Sequence, residues 1–351
     1  MEYQKMSQGS LSTNGTSNTS TVIASAICAN AQTTPASSTS ALFNHVALPK
    51  VFRLFDYAVK ETESGTFQMT CQLYHASISM RVIWEQPTTR TDLYGGYLVT
   101  PTFFPFAHSE NGHLWISDVT VLKEPDAKVD LFCTVPPQWV EDGAMLTRAS
   151  ALFQQLPLSL KGVFNSTLWG VTRFHRFLQA PASLIGHHSE RHGNLRHMVE
   201  VGENVLHLAI NFPAANCDVA LLAGLLHDVG KADEYEIRQG RYAMTDRGLL
   251  CGHKLTGVLW LYAALTRYPE IPRQVRLCLL NCVGSERDLP AKSGFRMPVT
   301  PEGALVSAAD MASGKGDLYA RQSDPDGGWG HAHRHLGQTR PYTLPAGITL
   351  H

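Results

Sequence analysis

The stretch LLAGLLHDVGKADEYE, residues 221–236, sets the terms on which the rest of the chain is read. With the residues just before it, Asp218 to Val229 (DVALLAGLLHDV) form a run that is apolar almost all round. A helix of that kind belongs in the middle of a core. Near its end His227 and Asp228 stand side by side. Burying an imidazole and a carboxylate without partners is costly. Either the pair is hydrogen-bonded within a helical core, or a divalent cation satisfies both groups, with nitrogen and oxygen ligands that suit Mn, Fe, Zn, Ni or Mg. For an isolated His-Asp dipeptide the structural pair is the commoner arrangement. Gly230 stands where a glycine ends a helix, and Lys231 follows it.

Outward from this segment the pattern stays helical. Leu195, Met198, Val199, Gly202, Val205, Leu206 and Ala209 share one helical face, and further helices are expected at 252–267, 272–283 and 301–312. This makes residues 161–321 an all-α domain. It is preceded by a linker and first helix (126–160) containing Pro136, Pro137 and Pro157. A Gly/Pro/His-rich tail over 322–351, with His331, His333 and His335, is expected to be loose.

Upstream the texture changes. FRLFDYAVK, TFQMTCQLY, ISMRVIWE, YLVTPTFFPF and HLWISDVTVLK are aromatic and β-branched runs separated by turns such as Glu63-Ser64-Gly65 and Glu110-Asn111-Gly112. They read as five short antiparallel strands in a small barrel or sandwich, within residues 43–125. Residues 1–42 are rich in Ser, Thr, Asn and Ala and bury too little apolar surface to order themselves, so a flexible leader is expected.

Composition agrees with two cores: 351 residues, 44% of them hydrophobic and 17% charged, exclude a wholly disordered or fibrous chain. Lys plus Arg number 29 against 30 Asp plus Glu, so contact with nucleic acid would have to be local. Between 161 and 200, five cations (Lys161, Arg173, Arg176, Arg191, Arg196) face two acids (Glu190, Glu200), a local hint of a polyanionic substrate. Seven scattered cysteines without a CxxC pair indicate neither a disulfide framework nor a zinc ribbon. No run of apolar residues reaches the length of a membrane span, and a cytoplasmic protein without a membrane partner is expected.

The neighbours of His227 and Asp228 favour the metal over the structural pair. GLLHDVGK (224–231), an upstream helical His197, a downstream Gly252-His253 and a later Asp310 in ALVSAADMA give the order H…HD…D. In this the chain resembles the HD-domain metal-dependent phosphohydrolases. More narrowly it is similar to the YhaM-type 3'-5' exoribonucleases, which join an OB-fold to an HD domain. That resemblance rests on HHSERHGNLRHMVEV (187–201), LLAGLLHDVGKADEYE, TDRGLLCGHKLTGV (245–258), TPEGALVSAAD (300–310) and, for the OB-fold, AVKETESGTFQMTCQLYHASISMRVIWE (58–85). The HD-type conjugative relaxases have a similar pattern.

The resemblance implies that His197, His227, Asp228 and Asp310 coordinate one divalent ion. It departs from the YhaM pattern at Leu280-Asn281-Cys282-Val283-Gly284, where that family has a His-His pair completing a second metal site. His253 and Cys282 are the candidates for a second metal or a substrate contact, with a buried apolar thiol as the ordinary role for Cys282. Lys231 is a candidate for stabilising negative charge on the phosphoryl group or a cation at a helix end. His187, Arg191, His192 and Arg196 are candidates for phosphate binding, and His188 for general acid, against a solvated loop. On the β-region, Phe67, Tyr74, Arg81, Trp84, Phe103 and Phe106 offer groups on which bases could stack, two of them at most being exposed.

The expectation is therefore an N-terminal OB-like barrel followed by an all-α HD domain. Its activity would be metal-dependent phosphodiester hydrolysis on single-stranded RNA or DNA from the 3' end. The rivals are a nucleic-acid-binding or conjugation-associated protein with weakened catalysis, and a small-nucleotide phosphohydrolase.

Overall fold

The computed structural model describes residues 48–105, 108–286 and 296–347; the expected leader and Phe106 lie outside these. Six strands come first: β1 (Phe52–Glu61), β2 (Phe67–His75), β3 (Ile78–Gln86), β4 (Leu98–Phe103), the two-residue β5 (Ser109–Glu110) and β6 (His113–Val121). Alternation places Met69, Cys71 and Leu73 of β2 inside and Gln68, Thr70 and Gln72 outside. Asn111 and Gly112, at φ 50° and 78°, make the tight turn between β5 and β6.

The sheet runs β3-β2-β1-β4-β6, and a β3–β6 pairing closes it into an OB-like barrel of five long strands. The closing pair is parallel, with Val82 opposite Leu114, whereas an all-antiparallel arrangement was expected. An odd number of strands cannot alternate direction all the way round a ring, so one parallel pair is forced. The barrel has its own core around Phe52, Leu54, Met69, Val82, Trp84 and Ile116.

Nine helices follow among the described residues: α1 (Gly143–Gln155), α2 (Leu158–Leu168), α3 (Val171–Gln179), α4 (Gly193–Leu208), α5 (Cys217–Leu226), α6 (Lys231–Glu234), α7 (Asp246–Leu265), α8 (Arg273–Gly284) and α9 (Pro301–Gln322). Every residue of α5 from Val219 to Leu226 is buried, the central position that its all-round apolarity demands. Helices α2, α4, α8 and α9 pack on it.

The helical region differs from expectation in five respects. The helical region is not free of strands, because β7 (Tyr235–Arg238) and β8 (Arg241–Met244) form a hairpin across Gln239-Gly240, both at positive φ. Helix α9 runs ten residues past 312, and α7 begins at Asp246 with a kink at Gly252 (φ 69°, ψ 165°). Residues 328–343 of the expected tail are not loose. His331 N–H donates to Gln322 O, Gly330 N–H to Pro341 O, and β9 (Gly328–Trp329) pairs with β10 (Tyr342–Thr343).

Lastly, Gly230 does not end α5 as a left-handed cap. Its φ of −67° is helical, and what requires glycine is space, since a Cβ there would lie 2.0 Å from the backbone oxygen of His253.

Helix α7 is long and apolar enough to cross a membrane by length and composition only; it packs against α2, α6 and α8. None of the six described cysteines is in a disulfide.

The close approach at Gly230 yields a test. Gly230→Ala should lower the unfolding free energy by about 1–3 kcal/mol as α7 is forced outward, read from the midpoint of urea unfolding.

Candidate metal centre

Three separate parts of the helical region deliver one cluster. His197 comes from the middle of α4, His227 and Asp228 from the turn directly after α5, and Asp310 from the middle of α9. Helices α4 and α9 both pack on α5, so the two side chains converge on its C-terminal end. His197 Nε2 lies 3.2 Å from His227 Nε2, 3.2 Å from Asp310 Oδ1 and 3.6 Å from Asp228 Oδ2. His227 Nε2 lies 3.3 Å from Asp228 Oδ2.

The protons in this cluster follow from its surroundings. His227 Nδ1 faces the carbonyl of Gly224 at 2.8 Å, and a carbonyl only accepts, so Nδ1 carries the hydrogen and Nε2 a lone pair. The Ser313 hydroxyl donates to Glu200 Oε2 at 2.7 Å and is left to accept from His197 Nδ1 at 2.9 Å. His197 Nε2 is then a lone pair as well. Burial lowers the His197 pKa and keeps that imidazole neutral.

Two nitrogen lone pairs and two carboxylate oxygens thus point at one another with no proton between them. Such a set is repulsive unless a cation sits among them. Burial would raise the Asp228 carboxyl, yet the charged groups beside it, the Lys231 ammonium among them, outweigh it and hold the group well below the usual carboxylate range. Asp310 is likewise lowered, against its burial.

Part of the positive charge is supplied by the chain. Lys231 is buried, with Nζ 2.6 Å from Asp228 Oδ2 and donating also to the carbonyl of Ala182. The other oxygen, Asp228 Oδ1, meets His253 Nε2 at 3.4 Å, and His253 Nδ1 is held by Glu234 at 2.9 Å. His187 stacks beside His197 with ring centroids 4.6 Å apart. Its buried Nε2 has no hydrogen-bond partner, and burial takes its pKa down to about 3. Two overlapping groups could therefore hold a metal ion: His197, His227 and Asp228, and His187, His197 and Asp310.

Residues 194–313 match the family model of the HD domain. The match supports membership of the HD superfamily, and an HD domain implies a metal-dependent phosphohydrolase in general. No curated protein and no solved structure matches the chain.

The helical region brings together His197, His227, Asp228, Asp310, Lys231, His253 and, ahead of the matched residues, His187 of the residues singled out from the sequence. The others lie elsewhere. His188, expected to be a general acid at the mouth, is buried behind His197. Its Nε2 lies 3.0 Å from Glu200 Oε2 and 3.2 Å from Ser313 Oγ, and its backbone N–H donates to Asp317. In this position it braces Ser313 and Glu200, which stand behind His197.

Cys282 packs in the helical core beside Cys278 and Thr300. Its neighbour Cys278 and burial push its thiol pKa up. His192 sits at φ 67° just before α4 with Nδ1 on the carbonyl of Leu178. Arg191 donates to Gln179, and Arg196 pairs with Glu190 at 3.4 Å.

Three participants were missed: Glu200, Ser313 and Glu234. The first two had a signal, since each stands three residues after a candidate ligand on the same helix, Glu200 after His197 and Ser313 after Asp310, and so shares its face.

The role of Ser313 can be measured. Ser313→Ala removes the acceptor that fixes the His197 tautomer, and should weaken Mn²⁺ binding about 10–100-fold by calorimetry while the circular dichroism spectrum is unchanged.

Proposed function

We propose that the protein is a metal-dependent phosphodiesterase that acts on single-stranded nucleic acid from its 3' end, the barrel holding the strand and the HD domain cutting it. The observation that carries this reading is the convergence of four unprotonated acceptors, in an HD domain, next to a chain that also folds an OB-like barrel. His197, His227, Asp228 and Asp310 would hold the ion, with His187 as a further donor.

When bound, a divalent ion supplies a Lewis acid and an activated water at neutral pH. The chain's own groups do the rest. Ser313 and Gly224 fix the two imidazole tautomers so that both Nε2 atoms face inward. Lys231, clamped between Ala182 and Asp228, brings a fixed positive charge to the place where phosphoryl charge grows. His253, open to solvent on one side and braced by Glu234, can hold a proton at Nε2 for a departing oxygen.

The barrel contributes a face. Trp84 is buried, and Phe103 packs against the barrel core, so neither offers a ring to a base. Tyr74 and Arg81 share the outer side of β2 and β3, in the neighbouring pairs Tyr74↔Ser79 and Gln72↔Arg81. An aromatic ring and a guanidinium side by side suit an unpaired base and its phosphate.

Two tests address this reading. On 5'-labelled single-stranded RNA and DNA with Mn²⁺, the intact protein should give a ladder shortening from the 3' end, and Asp228→Ala should lose activity by about a thousandfold or more with its fold kept. Absence of cleavage on both strands, with binding retained, would favour a nucleic-acid-binding protein with weakened catalysis. Separately, Tyr74→Ala should weaken oligonucleotide binding about 5- to 100-fold in fluorescence anisotropy, and leave hydrolysis of a small chromogenic phosphodiester unchanged.

A further inference from the structure

A cavity of about 390 Å³ lies between the barrel and the helical region, apart from the metal centre. Its walls include Leu98 of β4, Leu131, Leu168 at the end of α2, and Trp169, so it is largely apolar. Its charge is not balanced in the usual way. Arg53 of β1 lines it and is only 2% exposed. The guanidinium donates from Nε to the Thr134 carbonyl (3.1 Å), from Nη1 to the Gly96 carbonyl (2.8 Å) and from Nη2 to the Thr134 hydroxyl (2.7 Å). It lies over the rings of Trp139 and Phe174 at 4.9 Å and 5.3 Å.

All these partners are neutral. Among the described residues no carboxylate lies within ion-pair distance of Arg53, which is rare for a buried arginine. A guanidinium has five N–H donors, and these bonds leave one on each of Nη1 and Nη2. Asp92 borders the same cavity, but both its oxygens are held by Arg90, at 2.7 and 2.9 Å.

A second feature points the same way. Helix α3 begins at the cavity, where Gly170, Val171 and Phe174 form part of the wall. Gly170 has no side chain to cap the helix, and no acidic residue stands in the first turn. The first N–H groups of α3 and the positive end of its dipole are therefore available to an anion. Phe174 ties the two features together, since it belongs to that first turn and lies under Arg53. Lys123 adds a further cation to the lining.

We infer that this cavity binds a small organic anion. The acidic group sits between Arg53 and the N-terminus of α3, and the apolar or aromatic body fills the space against Leu98, Leu131, Leu168 and Trp169. The volume is that of a ligand pocket for one small molecule. The inference goes beyond the proposed phosphodiesterase and does not depend on it.

The experiment is calorimetric titration and thermal unfolding of the full chain carrying Asp228→Ala, in EDTA, so that binding at the metal centre does not contribute. The probes are adenosine monophosphate, uridine monophosphate and benzoate, with adenosine, uridine and benzamide as neutral counterparts and inorganic phosphate as the bare anion. Saturable binding of at least one organic anion, with a rise in Tm and at least tenfold preference over its neutral counterpart, is expected. A phosphate-bearing or a carboxylate-bearing probe binding alone would identify the acidic group.

Arg53→Gln should weaken that binding about tenfold or more. Because Arg53 also joins the barrel to the helical region, Val171→Phe provides a second variant that narrows the cavity and leaves Arg53 in place; it too should abolish binding. Binding by none of the organic anions up to about 10 mM, binding of neutral and anionic forms alike, or undiminished binding in Val171→Phe would each overturn the inference.

Discussion

Everything in the helical region is arranged around a mutual repulsion. The Nε2 atoms of His197 and His227 are brought within 3.2–3.9 Å of each other and of an oxygen of Asp228 and one of Asp310, by three separate segments of the chain. Lone pairs facing lone pairs in a buried site are unfavourable, and a cation bound among them would relieve this. The rest of the site keeps protons away from the centre: Gly224 takes the Nδ1 hydrogen of His227, and Ser313 takes that of His197. Glu200 and His188, behind Ser313, hold the hydroxyl in the orientation that makes it an acceptor.

How far the sequence shows this depends on what kind of signal each residue leaves. The central helix was legible because an all-round apolar run has one physical outcome, and His227 and Asp228 were legible because they interrupt it. His197 and Asp310 needed the order of the motif as a whole, since a lone histidine or aspartate on a helix says nothing by itself. His188 adjoins His187 in sequence but does not share its contacts, since its backbone is at φ 43° and its Nε2 meets Glu200 and Ser313. Cys282 was open to two readings until its neighbours showed it to be core. The β7–β8 hairpin was missed because its strands are four residues each, too short for alternation to stand out. The barrel was legible strand by strand, but not its closure, which pairs β3 with β6 across some thirty residues.

The two cores are separate, yet they are fastened by more than covalent linkage. Arg53 leaves β1 and hydrogen-bonds Thr134, at the threshold of the helical region, while Leu98 of β4 contributes to the helical core. A residue at such a joint feels displacements of either side. Helix α3, which Arg53 touches through Phe174, packs at the same time on α6, whose first residue is Lys231. The barrel is thereby connected to the candidate metal centre by two packed contacts.

The ligands are far apart in the chain: His197 and Asp310 are separated by 113 residues and yet lie 3.2 Å from each other. Loop closure over that distance comes late in folding, so the centre exists only once α4, the end of α5 and α9 have docked. A cation held there binds the assembled chain and not its parts, and so acts mainly on the rate at which the native state comes apart. The metal would then set how long the folded protein lives as well as whether it reacts, and loss of the ion would shorten its lifetime in the folded state even for a chain whose apolar cores are intact.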